Sequence, residues 1–213
     1  MITKNRQYNS VDDFRLEAEK KLDAKVREFY FNGAGCQNTL KENEAAFSRI
    51  KLRNKVLVDV SKRSTNTSIF NQNFSAPFYV APMAFHKLAS DEAELGSAKA
   101  ANKAGAGMIM SALSTSRFED IAAVSENKPW LQIYLYKKRE IVEKIVALAE
   151  KSDYHALVLT VDTPVYDRRY TRHGRFCLPR DFTLENLRSC GLDIEKVSLN
   201  KRADYLTTQL DDS

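Results

Sequence analysis

No run of this 213-residue sequence is apolar for long enough to cross a membrane. The longest, Phe78 to Phe85, falls far short of the about 20 residues a spanning helix needs. The opening residues, Met1-Ile2-Thr3-Lys4-Asn5-Arg6, have no apolar segment behind their basic members, so no secretory signal is expected and the chain reads as intracellular. Cysteine is scarce: Cys36, Cys177 and Cys190 form an odd set without C-x-x-C spacing, which excludes a disulfide scaffold and fits a reducing compartment. No metal site is expected. Internal repeats and low-complexity tracts are absent as well.

What is present describes a folded chain. Hydrophobic residues make up 43% of it, and 33 Lys plus Arg against 28 Asp plus Glu leave a formal charge of +5. A chain this long can remove roughly 70% of its unfolded surface from water, enough for a sizeable core. The basic excess would admit a nucleic-acid partner, but it is dispersed among acidic residues, which argues against one. The densest basic cluster is Arg168, Arg169, Arg172, His173 and Arg175. Taken by itself it reads as a solvated loop or a nonspecific anion site.

Ser10 followed by Asp13 has capping-box character, and Val11, Phe14, Ala18, Leu22, Val26 and Phe29 recur at helical spacing until Gly33, predicting one amphipathic helix. Residues 34–76 are polar and mixed, with short β-type stretches at Lys55 to Val60 and Ser68 to Phe70, and read as a lid or extension. From Pro77 the pattern becomes regular. Strands are predicted at Phe78 to Ala81, Met108 to Ser111, Leu131 to Tyr136 and Ala156 to Val161. Helices are predicted between them: one opened by Ser90 and closed by Gly105, one opened by a capping box from Ser116 to Glu119, and one from Arg139 to Lys151. A short helix is expected from Thr183 to Arg188. Strand and helix in alternation imply a parallel sheet with right-handed crossovers, either a small open sheet or half of an eight-stranded barrel. The division expected is 1–76 for the helix and extension and 77–213 for the βα units. Polar side chains at the strand ends, Ser111, then Gln132 and Tyr134, then Thr160 and Asp162, point to one binding face.

Several stretches together carry a family resemblance: Asn43 to Ile50 (NEAAFSRI), Phe78 to Ala84 (FYVAPMA), Ser111, Leu131 to Tyr136 (LQIYLY), Leu159 to Pro164 (LTVDTP) and Arg168-Arg169. In this order they resemble the FMN-dependent 2-hydroxy-acid oxidases and dehydrogenases, the family of glycolate oxidase, L-lactate oxidase and the cytochrome-linked L-lactate dehydrogenase. The resemblance implies an α/β fold, a (β/α)8 barrel of which this chain is the first half, with FMN across the carboxyl ends of the strands. It implies a small L-2-hydroxy acid as substrate, oxidised to the 2-oxo acid, and a cytoplasmic or peroxisomal location.

Residue by residue, Ala81, Pro82 and Ala84 match the loop whose backbone lies against the flavin. Ser111, Gln132 and Thr160 match side chains that hydrogen-bond its polar edge. Tyr134 and Arg169 match residues that hold the substrate, where an Arg fork suits a carboxylate and a Tyr hydroxyl can orient the substrate oxygen. Asp162 matches the carboxylate that supports a catalytic histidine. Phe29 stands where the family usually has a substrate-touching tyrosine, with Tyr30 at the next position; Leu113 replaces an often aromatic pocket residue, and Asp167 a glycine. The family's Asn-His-Gly segment and its glycine-rich phosphate site do not occur in these residues. The 213-residue chain is therefore expected to be inactive by itself, and to need self-association or a carboxyl-terminal half. His86, His155 and His173 match no catalytic position and read as surface or structural histidines. A different reading is a non-catalytic half-barrel that binds anions or RNA through its basic loop.

Overall fold

The computed structural model describes residues 8–136, 138–162, 170, 178–179 and 182–192. These fall into two compact units that divide between Lys51 and Leu52, with Tyr170 grouped in the first. The boundary drawn at residue 76 from composition thus lies inside the second unit.

The first unit holds three helices, α1 (Val11–Lys21), α2 (Ala24–Phe31) and α3 (Asn38–Arg49). Ser10 caps α1 through the expected capping box: its Oγ accepts from Asp13 N, and Asp13 Oδ2 accepts from Ser10 N at 2.9 Å. The single helix expected from residue 10 to 33 is two helices. Leu22 turns extended, and Asp23 captures Lys25 N at 2.9 Å, so a second N-cap interrupts a periodic apolar pattern. Helix α3 has no counterpart in the sequence reading. None of its residues is buried.

The second unit is built on a four-stranded sheet, β3 (Tyr79–Val80), β4 (Gly107–Ser111), β5 (Trp130–Ile133) and β6 (Ala156–Leu159), in spatial order β3-β4-β5-β6 and parallel throughout. Helices α4 (Ala93–Ala104), α5 (Phe118–Val124) and α6 (Arg139–Lys151) are the crossovers, and α7 (Glu185–Ser189) follows. The strands are shorter than predicted but sit where the pattern placed them. Pairing of Val80 with Met108, Met110 with Leu131, Leu131 with Leu157 and Ile133 with Leu159 puts these apolar residues on one face. Met108, Met110, Leu131 and Ile133 are buried there, and Phe118, Ile121, Ile141, Ile145 and Ala149 are the buried residues of α5 and α6. Burial of each of the Met, Leu, Ile and Phe side chains contributes about 1.5–3 kcal/mol.

Ahead of the sheet, β1 (Thr67–Ile69) and β2 (Gln72–Phe74) form an antiparallel hairpin. Its turn residues Phe70 and Asn71 both have positive φ, 47° and 62°, the type I′ geometry that matches strand twist. The hairpin covers the amino ends of the strands. Gln72 donates to Lys128 O at 3.0 Å and accepts from Trp130 Nε1 at 3.2 Å, and Asn127 donates to Asn73 O at 3.1 Å. Phe70 and Tyr79 pack on Trp130 with ring centres 5.4 and 4.6 Å away, and Phe74 lies 5.0 Å from Tyr79. The segment read as a lid thus includes a plug at the end of the sheet opposite the polar strand ends. Lys55 to Val60 does not form a strand; these residues are exposed.

Candidate functional site at the carboxyl ends of the strands

Parallel register brings the strand ends together. Ser111 ends β4 and pairs with Gln132 in β5, and Thr160 continues the ladder past β6 by donating its N–H to Ile133 O at 3.0 Å. Their side chains form a continuous row. Leu113 N donates to Ser111 Oγ at 3.1 Å, Ser111 Oγ donates to Gln132 Oε1 at 3.3 Å, and Gln132 Nε2 donates to Thr160 Oγ1 at 2.7 Å. Ser111 and Gln132 are buried, which is costly for polar groups unless they are paired, as they are here.

Tyr134 follows on the line of β5, half-buried, its ring edge-on to Tyr136 at 6.4 Å. Asp162 lies two residues past Thr160 in an exposed bend. Ala81 and Pro82 are exposed just beyond β3, and Ala84 is half-buried. The connection they belong to is joined to the next one by Phe85 N donating to Leu113 O at 3.2 Å. The structure therefore gathers Ser111, Gln132 and Thr160 in direct contact. Phe29 belongs to α2 in the first unit, where its ring packs edge-on to Tyr30 at 5.2 Å. Arg169 and the other basic-loop residues Arg168, Arg172, His173 and Arg175 lie outside the described residues. His155 contacts Phe70 O at 2.7 Å, which ties it to the plug, and His86 Nδ1 lies 3.1 Å from Ser97 Oγ. Burial holds the His86 imidazole below its ordinary pKa, partly offset by the Glu94 charge.

Two residues that the sequence reading did not single out shape this rim. Glu94, near the start of α4, is completely buried and accepts hydrogen bonds from His86, Thr115 and Ser116. Asn186 in α7 is buried and donates to Ser114 Oγ at 3.1 Å and Ser116 O at 2.8 Å, while Phe118 N donates to its Oδ1 at 3.0 Å. Ser116 is therefore not the expected helix cap; Arg117 holds the cap position of α5, without a side-chain bond. A signal for Glu94 did exist: with Ala98 and Ala101 it forms the buried stripe of α4, a carboxylate at a core-facing position.

A parallel sheet wound with helices, with hydroxyl and amide side chains along its carboxyl rim and its amino end plugged, is the arrangement of a barrel-type α/β protein with its ligand-binding face at that rim. A family model described as FMN-dependent dehydrogenase matches residues 18–210. The chain belongs to that family. Glycolate oxidase 3 of Arabidopsis thaliana is 37% identical over 209 residues, covering 97% of this chain and 57% of the relative. L-lactate oxidase of Nostoc sp. is 43% identical over 188 residues, covering 85% and 52%. Among solved structures, an oxidised active mutant of (S)-mandelate dehydrogenase superposes with a TM-score of 0.81 at 31% identity, covering 97% of this chain and 59% of that one. Mandelate oxidase with (S)-4-hydroxymandelic acid gives 0.79 at 33% identity, covering 84% and 50%. The chain spans about half the length of the curated relatives it matches.

FMN is the cofactor this family implies, and the rim suits it. The edge of an isoalloxazine alternates carbonyl and N–H groups. A row of hydroxyl, amide and hydroxyl can both donate to it and accept from it. Among the described residues no group of His, Cys, Asp and Glu could hold a metal ion, and no helix is long and apolar enough to cross a membrane.

Proposed function

We propose that this chain supplies the cofactor-facing first half of an FMN-dependent oxidoreductase acting on an L-2-hydroxy acid of the glycolate or L-lactate type. The observation that carries this reading is the hydrogen-bonded row of Ser111, Gln132 and Thr160 on adjacent parallel strand ends. Bound FMN would take up the two electrons released when the hydroxy acid becomes a 2-oxo acid. Ser111, Gln132 and Thr160 would hold its polar edge, and the backbone of Ala81, Pro82 and Ala84 would face its ring. Tyr134 orients the substrate oxygen, Arg169 grips the carboxylate, and Phe29 lines the substrate without donating a hydrogen bond. Asp162 orients and supports a histidine base, as the matching carboxylate does in the family.

That histidine's Asn-His-Gly segment does not occur among the 213 residues, so in this reading the base comes from outside them. Association with itself or with a carboxyl-terminal half belongs to the same reading, as does a cytoplasmic or peroxisomal place of work.

Flavin fluorescence tests the first part. FMN fluorescence should be quenched by the chain co-expressed with the part of glycolate oxidase that follows the matched region and restored in a Ser111→Ala, Gln132→Leu, Thr160→Val triple variant; equal quenching by both assemblies, or none by either, would sink the assignment. The same co-expression tests the second. Anaerobic glycolate or L-lactate should then bleach the flavin, and Asp162→Ala should slow this by roughly 100-fold or more, in the range of acid–base contributions.

A further inference from the structure

Glu94 sits on the second residue of α4 with a carboxylate that no water reaches. Oε1 accepts from His86 N at 3.2 Å and Thr115 N at 2.9 Å. Oε2 accepts from Thr115 Oγ1 at 2.7 Å, Ser116 N at 2.9 Å and Ser116 Oγ at 2.8 Å. Among the described residues no lysine or arginine pairs with it. Among the described residues the charge is held by oriented dipoles, and charge-assisted bonds of this kind are the strong ones.

The donors come from two connections. His86 lies in the one after β3, which also carries Ala81, Pro82 and Ala84; Thr115 and Ser116 lie in the one after β4. From there the bonds continue without a gap. Phe85 N donates to Leu113 O at 3.2 Å, and Leu113 N donates to Ser111 Oγ at 3.1 Å. Ser111 Oγ, which accepts from Leu113 N, donates in turn to Gln132 Oε1, and the Gln132 NH2 donates to Thr160 Oγ1. Asn186 grips the same connection from its other side through Ser114 Oγ, Ser116 O and Phe118 N.

We propose that Glu94 is a positioning residue: by fixing the connections after β3 and β4 it sets which way the Ser111, Gln132 and Thr160 row points its donors and acceptors. The proposal rests on the reading of that row as the cofactor-facing rim. An ionised carboxylate only accepts, so each of its partners must turn a proton toward it. Glutamine at this position would set an NH2 donor either against the His86 and Thr115 N–H groups or against the Ser116 N–H and two hydroxyls, and in both settings loses a bond that holds the connection.

The test uses the flavin-free full chain, so a failure to bind FMN and a failure of this proposal are separate results. Two reporters are read by 15N NMR: the side-chain NH2 pair of Gln132, assigned by its loss in Gln132→Glu, and the exchange rate of the Leu113 amide. Glu94→Gln should displace the Gln132 pair and speed Leu113 exchange by roughly tenfold or more, as for a local opening made easier. Thr115→Val and Ser116→Ala, which each remove one hydroxyl donor and keep the backbone, should move both reporters in the same direction by less, and they decide the matter if Glu94→Gln does not fold. Ser152→Ala removes a buried hydroxyl that donates to Leu148 O at 2.7 Å, far along the chain in the turn after α6, and should move neither reporter. Reporters that stay in place in every folded Glu94, Thr115 and Ser116 variant, or that Ser152→Ala moves as much, would overturn the proposal.

Discussion

A buried carboxylate surrounded by donors makes stability depend on pH in a direction that can be worked out. Burial pushes the Glu94 carboxyl up, but hydrogen bonds from Thr115 and Ser116 outweigh it and hold the group below its ordinary value of 4.5. Its contribution is therefore complete above that value and is lost as pH falls through the lower folded value. His86, whose imidazole burial keeps below its ordinary value, also weakens the fold as acid charges it, and Tyr154, whose phenol is held neutral by burial, does not change in this range. Comparing wild type with Glu94→Gln isolates the carboxylate. Thermal melts should show the variant about 2–3 kcal/mol less stable at neutral pH, the cost of disrupting bonds to a charged group, with the gap narrowing steadily below pH 4.5. A gap that stays constant down to pH 3 would contradict the ionised, acceptor-only role. Legibility at this scale was uneven for a physical reason. Ser111, Gln132 and Thr160 were readable because they are polar letters in or next to apolar strands, and because they match a family pattern. Asn186 was not, since its side-chain partners lie 68 or more residues away, and Glu94 carried only its place on the core-facing stripe of α4, with Thr115 and Ser116 21 and 22 residues away.

At the scale of elements, α4 ends where it must. Gly105 takes φ +63°, its N–H bonds to Ala101 O and Asn102 O, and its carbonyl accepts from Ser75 N at 2.9 Å, which locks the end of the hairpin to the start of β4. A Cβ at this position would be strained by the left-handed backbone and would also overlap the Ser75 side chain. Gly105→Ala should cost about 2 kcal/mol in chemical denaturation, from backbone strain together with overpacking. Adding Ser75→Gly should recover part of the loss; a neutral Gly105→Ala would show that the connection yields freely. The same element shows how the pattern was read. A glycine closing an amphipathic run announced the end of α4, and strand periodicity placed all four parallel strands. The hairpin was half visible, as a β-type stretch near Ser68, because its turn is Phe70-Asn71 with no glycine to mark it. Asp23 broke one expected helix in two because a capping side chain outweighs an apolar repeat that continues past it.

For the molecule as a whole, the decisive feature is where apolar cover stops. Register sets Leu157 and Leu159 beside Leu131 and Ile133 on one face of the sheet. Leu131 and Ile133 are buried, yet Leu157 and Leu159 are 46% and 44% exposed, and Val161 beyond them is 78% exposed. Among the described residues β6 pairs with β5 and with no other strand, so exposed leucines coincide with an open sheet edge. Such an edge, with unpaired N–H and C=O groups and apolar side chains, is a template for association. Sedimentation velocity should therefore show the chain self-associating in a concentration-dependent way, with a hydrophobic dye bound to the exposed face. Leu157→Lys with Leu159→Lys places charge on the edge while leaving its backbone intact. It should shift the distribution toward monomer and lower dye binding several-fold, with the helical and sheet signal retained. A pair of lysines that leaves sedimentation and dye binding unchanged would show that association, where it occurs, uses another surface. Restored activity of the co-expressed halves that survives the two lysines would likewise separate self-pairing at β6 from assembly into an active enzyme.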